Sequence, residues 1–176
     1  MNLDKNEDTN RRQKEFYDFK KKNFATRIWS YFRNGILNKT KKNIGIENQI
    51  LELHKTWIGE LSGKKVLDLG CYAGNSLSFY LAENSAEYIG IDLSEKGITS
   101  LSKKLKKIPS ASAVTMDFLS SEFSEKDFDL IYVYGVLHHF KDVDDLIKKL
   151  NEKLNSKGKI ISYDPLETSI PIKLLR

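Results

Sequence analysis

The chain has 176 residues, 40% of them hydrophobic and 30% charged, with a formal net charge of +5. That length fits one domain with a core large enough to be stable alone, and the composition excludes a disordered chain. No apolar run approaches a membrane span, the polar N-terminus lacks a secretory apolar region, and the single cysteine, Cys71, cannot form an internal disulfide. A cytoplasmic protein is therefore expected. The lysines are spread over helix faces and ends, so solvated surface explains the basic charge better than a nucleic-acid footprint.

Residues 1–60 are expected to form a helical lid or cap, and residues 61–176 the ligand-binding domain. Within residues 11–34, basic residues alternate with aromatics, and Phe24, Ile28 and Phe32 fall one helical turn apart. Asn34-Gly35 breaks that helix. A second helix is predicted from Glu47 to Glu60, with Ile46, Ile50, Leu53 and Trp57 on one stripe and a structural histidine, His54, beside it. From Gly63 onward strands and helices alternate. Strands are predicted at Lys65 to Leu69, Glu87 to Ile91, Ala113 to Met116, Asp129 to Tyr134 and Lys159 to Tyr163. Helices are predicted at Gly74 to Ala82, at Ser94 to Lys107 with Ser94 as its cap, and at Asp142 to Leu154. The last carries Val143, Leu146, Ile147, Leu150 and Leu154 on one face. Asn155 to Gly158 is a turn, and Pro165 and Pro171 flank a loop. Strand–helix alternation implies right-handed crossovers and a Rossmann-like, doubly wound, mostly parallel sheet of order 3-2-1-4-5.

In such a sheet every strand delivers its last residues to one edge, where ligands bind. The first strand ends in Asp68-Leu69-Gly70-Cys71-Tyr72-Ala73-Gly74. A dinucleotide fingerprint needs G-x-G-x-x-G. Here Tyr72 stands in place of the second glycine and obstructs the backbone approach that a pyrophosphate requires. The turn therefore points to a nucleoside ligand without a pyrophosphate. The second strand ends at Asp92, whose carboxylate can accept both hydroxyls of a ribose. The third ends at Asp117, which can receive an adenine amino group. Leu93 and Phe118 are placed to hold the two faces of the base.

These segments resemble the class I S-adenosylmethionine-dependent methyltransferases, in particular the group with ubiquinone-biosynthesis, sugar and small-molecule O-methyltransferases. Val66 to Gly74 matches the family's V-L-D-[LV]-G-C-G-x-G, and Tyr88 to Ser94 its V-x-G-[IV]-D-x-S. Met116-Asp117-Phe118, Phe128 to Ile131 with Val136 to Phe140, and Leu154 to Lys159 follow in the family's order. The resemblance covers roughly residues 60–165. It implies S-adenosyl-L-methionine as cofactor and no metal. The cofactor-binding residues it implies are Asp68, Gly70, Cys71, Tyr72, Gly74, Asp92, Leu93, Asp117, Phe118 and Tyr134. Gly70 and Gly74 would let the backbone approach the methionine part. Asp68 would order the turn or reach the methionine ammonium through water. Cys71 reads as a small buried filler rather than a nucleophile.

The resemblance also implies the reaction. The sulfonium methyl is already activated, so alignment does most of the work, and an oxygen acceptor of high pKa also needs a base. His138 and Asp164, at the ends of the neighbouring fourth and fifth strands, are the catalytic candidates. The expected acceptor is a small molecule, methylated at a hydroxyl oxygen. RNA methylation and a non-catalytic S-adenosylmethionine-binding domain are the alternatives. Tyr134-Gly135-Val136-Leu137 differs from the Asn/Asp-Pro-Pro-aromatic sequence of base N-methylation, and no later cysteine exists for carbon methylation. The family's last two strands have no counterpart after Tyr163, so a C-terminally truncated chain is expected. Its exposed sheet face would be covered by the N-terminal helices or by a partner, as in a homodimer.

Overall fold

The structure, a computed structural model, describes residues 45–140 and 142–164 together with the isolated positions 31, 35, 39 and 43. The helix predicted within residues 11–34, Tyr31 excepted, and the loop flanked by Pro165 and Pro171 lie outside the described residues. The chain divides into two compact units, Met1–Gly59 and Glu60–Arg176. No described helix is long and apolar enough to cross a membrane.

In the first unit, α1 spans Ile46–Ile58 between two positive-φ glycines, Gly45 and Gly59. Its buried side is rotated one position from the predicted stripe. Leu53 and Trp57 are 47% and 43% exposed, whereas His54 and Ile58 are buried. Positions 53/57 and 54/58 both repeat every four residues, so spacing alone could not choose between them. The His54 ring stacks on Trp57 at 5.1 Å, and burial lowers its pKa, as suits a structural histidine.

The second unit is built on β1 (Lys65–Leu69), α2 (Ser76–Asn84), β2 (Glu87–Asp92), α3 (Glu95–Leu105), β3 (Ala111–Thr115), β4 (Phe128–Tyr134), α4 (Val143–Lys153) and β5 (Leu154–Tyr163). The strands pair in parallel in the order β3-β2-β1-β4-β5, as the alternation predicted. The central strands are near-continuous apolar runs because both faces are covered. Leu67, Leu69, Ile89, Ile91, Ile131 and Val133 face Leu146 and Leu150 of α4 in one core. Val66 and Asp68 take the other face, below α2. Burying each of these leucine and isoleucine side chains is worth about 2 kcal/mol, so the sheet interior dominates the stability.

Side-chain caps fix the helix starts. Asn75 Oδ1 accepts from Leu77 and Ser78 N–H, and Ser78 Oγ accepts from Asn75 N–H, a reciprocal capping box. Ser94 caps α3 as predicted, and Asp142 caps α4. Two expectations fail at α4 and β5. Val143 and Ile147 are 39% and 43% exposed, so only Leu146 and Leu150 form the buried stripe of α4. The predicted turn at Asn155 to Gly158 is absorbed into β5, whose register against β4 shifts between Phe128 and Leu130. Asn155 Oδ1 still accepts from Lys157 N–H at 2.9 Å. The turn chemistry therefore survives as a bulge in the strand.

Candidate functional site

The turn after β1 holds three residues at positive φ: Gly70 at 78°, Tyr72 at 44° and Gly74 at 75°. Four of its N–H groups have acceptors within the fold. Gly70 and Cys71 donate to Ile91 O at 2.7 and 3.2 Å, Tyr72 donates to Asp92 Oδ2 at 2.9 Å, and Gly74 donates to Cys71 O at 2.9 Å. The first N–H groups of α2 are taken by the Asn75 cap. A phosphate cradle needs such groups directed outward. The four engaged groups are not free to form one, in line with the expectation of a ligand without a pyrophosphate. The obstruction expected from Tyr72 takes a different form, because its ring lies against Gly97 of α3. The two glycines also serve packing. A Cβ on Gly70 would stand 2.1 Å from Val136 Cγ2, and one on Gly74 would stand 2.7 Å from Leu101 Cδ1. Val136, on the loop after β4, was not legible in the sequence as the reason for Gly70.

Asp92 closes β2 half-buried, with both carboxylate oxygens engaged: Oδ2 by Tyr72 N–H and Oδ1 by Ser94 N–H at 2.8 Å. Two backbone donors from different segments fix the carboxylate plane. An ionised carboxylate offers about four acceptor sites, more than these two donors use, and its two oxygens side by side match a pair of vicinal hydroxyls. Leu93 follows it, half-buried at the same edge. Asp117 accepts from Leu119 N–H at 2.9 Å and shapes the turn after β3. Phe118 departs from its expected role. It is 2% exposed and packs on Phe123 at a centroid distance of 5.5 Å, so it belongs to the core and offers no face to a base.

Asp68 and Cys71 lie beneath this edge rather than on it. Asp68 is buried and accepts from the Tyr88 hydroxyl at 2.8 Å, with Ser78 as its other partner. Burial pushes its carboxyl up to about 6 against those two donors. Through these two hydroxyls it ties the end of β1 to β2 and α2, directly beneath the turn. Gly90 lies opposite Asp68 in the sheet, and a Cβ there would stand 2.9 Å from Cys71 Sγ and 3.1 Å from the Tyr88 hydroxyl. Cys71 is buried, and desolvation drives its thiol pKa far up, which suits a filler and not a nucleophile. The Tyr88 partnership was missed because no local pattern links residues that meet only through sheet register.

The far half of the edge is formed by β4 and β5. Gly135 N–H donates to Tyr163 O at 2.8 Å, tying the two strand ends together. Tyr134 is 41% exposed and stacks on Tyr163 at 5.4 Å. His138 sits in the short turn Leu137–His139 that follows β4; its side chain lies outside the described residues. Asp164 follows β5, half-buried, and accepts from Ser162 Oγ at 3.3 Å. The backbone therefore brings His138 and Asp164 to adjacent strand ends. Among the described residues no three His, Cys, Asp or Glu side chains gather as a metal site would require.

Comparison with known proteins gives this geometry a context. Residues 67–160 match the family described as "Methyltransferase domain". Phosphoethanolamine N-methyltransferase 3 of Arabidopsis thaliana is 32% identical over 119 residues, covering 65% of this chain and 24% of that protein. Ubiquinone biosynthesis O-methyltransferase of Pseudomonas fluorescens is 31% identical over 121 residues, covering 64% of this chain and 50% of that protein. The chain thus spans half or less of these curated relatives. Magnesium protoporphyrin IX methyltransferase from Synechocystis, solved with bound S-adenosylmethionine, shares the fold at a TM-score of 0.63 and 22% identity, covering 90% of this chain and 80% of that one.

Proposed function

The chain belongs to the class I S-adenosylmethionine-dependent methyltransferases, and we propose that it moves a methyl group from that cofactor to a hydroxyl oxygen of a small-molecule acceptor. The observation that carries the reading is Asp92. Its carboxylate is held by Tyr72 and Ser94 N–H at the end of β2, in the geometry that suits two vicinal hydroxyls. The residues fit the cofactor in a second way. A nucleoside joined to a sulfonium amino acid brings no phosphate, and four N–H groups of the turn after β1 are already engaged by the protein.

The cofactor supplies an activated methyl on a sulfonium sulfur, so the protein's share is alignment and proton management. In this reading Asp92 orients the ribose, Leu93 and Asp117 bound the base, and Gly70 to Gly74 shape the floor under the amino-acid part. Tyr134, exposed at the end of β4, is a further contact for the cofactor. His138 takes the acceptor's hydroxyl proton, and Asp164 orients it or shares that proton. Histidine's intrinsic pKa near neutrality suits the step. Relatives act at nitrogen and at oxygen, as their names state. The choice of oxygen rests on the placement of His138 and Asp164 at adjacent strand ends, since an amine acceptor of lower pKa needs less help from a base.

Methyl transfer to a panel of sugars, phenolic quinone precursors, primary amines and RNA tests the reading. Turnover on a hydroxyl compound that falls by about a hundredfold in His138→Ala is the expected result, the lower range for losing a general base. Turnover confined to amines or RNA, or undiminished in His138→Ala, would contradict it.

A further inference from the structure

We propose that Tyr72 is a positioning residue for the cofactor's ribose, acting through Asp92; the inference rests on the reading of Asp92 given above. Tyr72 stands at φ 44°, in the left-handed region that favours glycine. A non-glycine residue persists there only where its surroundings hold it, and such residues cluster at functional sites. Here the surroundings hold it from two sides. Its N–H donates to Asp92 Oδ2 at 2.9 Å, and its ring lies on α3 at Gly97, where a Cβ would stand 2.6 Å from Tyr72 Cδ2.

The ring contact belongs to a larger grip. Gly97, Leu101 and Lys104 follow one another along one stripe of α3. They meet Tyr72, Gly74 and Ala73 in turn, the last through Lys104 Nζ donating to Ala73 O at 2.8 Å. The same helix begins beside Ser94, whose N–H holds the other oxygen of Asp92. One helix therefore sets these two backbone donors of the carboxylate, directly at Ser94 and through the Tyr72 ring at the turn. Glycine inside a helix is unfavourable in itself. At Gly97 it makes room for that ring.

Without the ring, an alanine at position 72 has no reason to stay left-handed, and its N–H leaves Asp92 Oδ2. The carboxylate then loses one of its two backbone holds and with it its match to two hydroxyls. A residue that only supported the fold would weaken every ligand alike. Tyr72 is expected to govern recognition of the diol in particular.

Calorimetry with S-adenosylhomocysteine and its 2′,3′-dideoxy analogue separates the two. The wild type is expected to prefer the diol ligand by at least about tenfold, the fold-change of one hydrogen bond to a charged group. Tyr72→Ala is expected to lose that preference while holding the dideoxy analogue within about threefold of wild type, and Tyr72→Phe, which keeps the ring on Gly97, to retain it. Gly97→Ala presses on the ring from the opposite side and is expected to lose the preference too; it decides the matter if Tyr72→Ala does not fold. An unchanged preference in the folded variants, or an equal loss for both ligands, overturns the inference and leaves the role of Asp92 standing. A wild type that binds neither ligand removes the Asp92 reading and this inference with it.

Discussion

Replacing Asp68 by asparagine should change how stability depends on pH, in a direction that the structure fixes. Asp68 is 3% exposed, and its partners are the Tyr88 hydroxyl at 2.8 Å and Ser78, both neutral. Its carboxyl is pushed from 3.8 up to about 6 by burial, the first cause, with the two hydrogen bonds opposing. Between those values the native protein binds a proton that the unfolded chain has already released. Stability from this group is therefore fully present below about pH 4 and is lost as pH rises through about 6, a difference of about 3 kcal/mol. Asparagine keeps the shape, accepts from Tyr88 and donates to Ser78, but cannot ionise. Urea unfolding of both proteins at about pH 4, 5, 6 and 7 isolates the effect, because every other titrating group is common to both. Asp68→Asn should gain on the wild type by about 2 kcal/mol between the lowest and highest pH, with most of the gain complete by about pH 6. Parallel curves would refute the account of Asp68 as a buried carboxylate without a cationic partner.

Gly70→Ala combines a φ of 78° with a Cβ 2.1 Å from Val136 Cγ2. It should cost about 3 kcal/mol in denaturant unfolding, and adding Val136→Ala should return only the steric part, about half. Asn75→Ala removes the acceptor for two N–H groups of α2. A loss of about 1 kcal/mol in thermal unfolding is expected, and Asn75→Ser should recover most of it.

The parallel sheet was legible because its strands are short apolar runs that end in acids or glycine turns. β1 falls on its predicted residues, and β2 and β4 extend the prediction by one residue, at Asp92 and at Phe128 respectively. Asp92 stood out by its distance from the glycine turn, one strand–helix step. What stayed hidden depends on tertiary contact. The stripe of α1 could be read at 53/57 or 54/58 with equal spacing, and exposure chose the latter. Phe118 follows Asp117 at the edge, yet its side chain turns into the core beside Phe123. Asp68 and Tyr88 meet because the side chains of β1 and β2 share a face and Gly90 leaves the space between them. The double hold on Asp92 comes from backbone N–H groups, which carry no sequence signature except the serine at 94.

The central claim is that Asp92, held by Tyr72 and Ser94, receives the ribose of S-adenosylmethionine. The most direct measurement is calorimetric binding of S-adenosylhomocysteine to the wild type and to Asp92→Ala, with circular dichroism to establish that both are folded. Binding by the wild type that weakens by about a hundredfold or more in the variant is the predicted result, as expected when two hydroxyls lose a carboxylate acceptor. A folded wild type that does not bind, or a variant that binds equally well, would contradict the account.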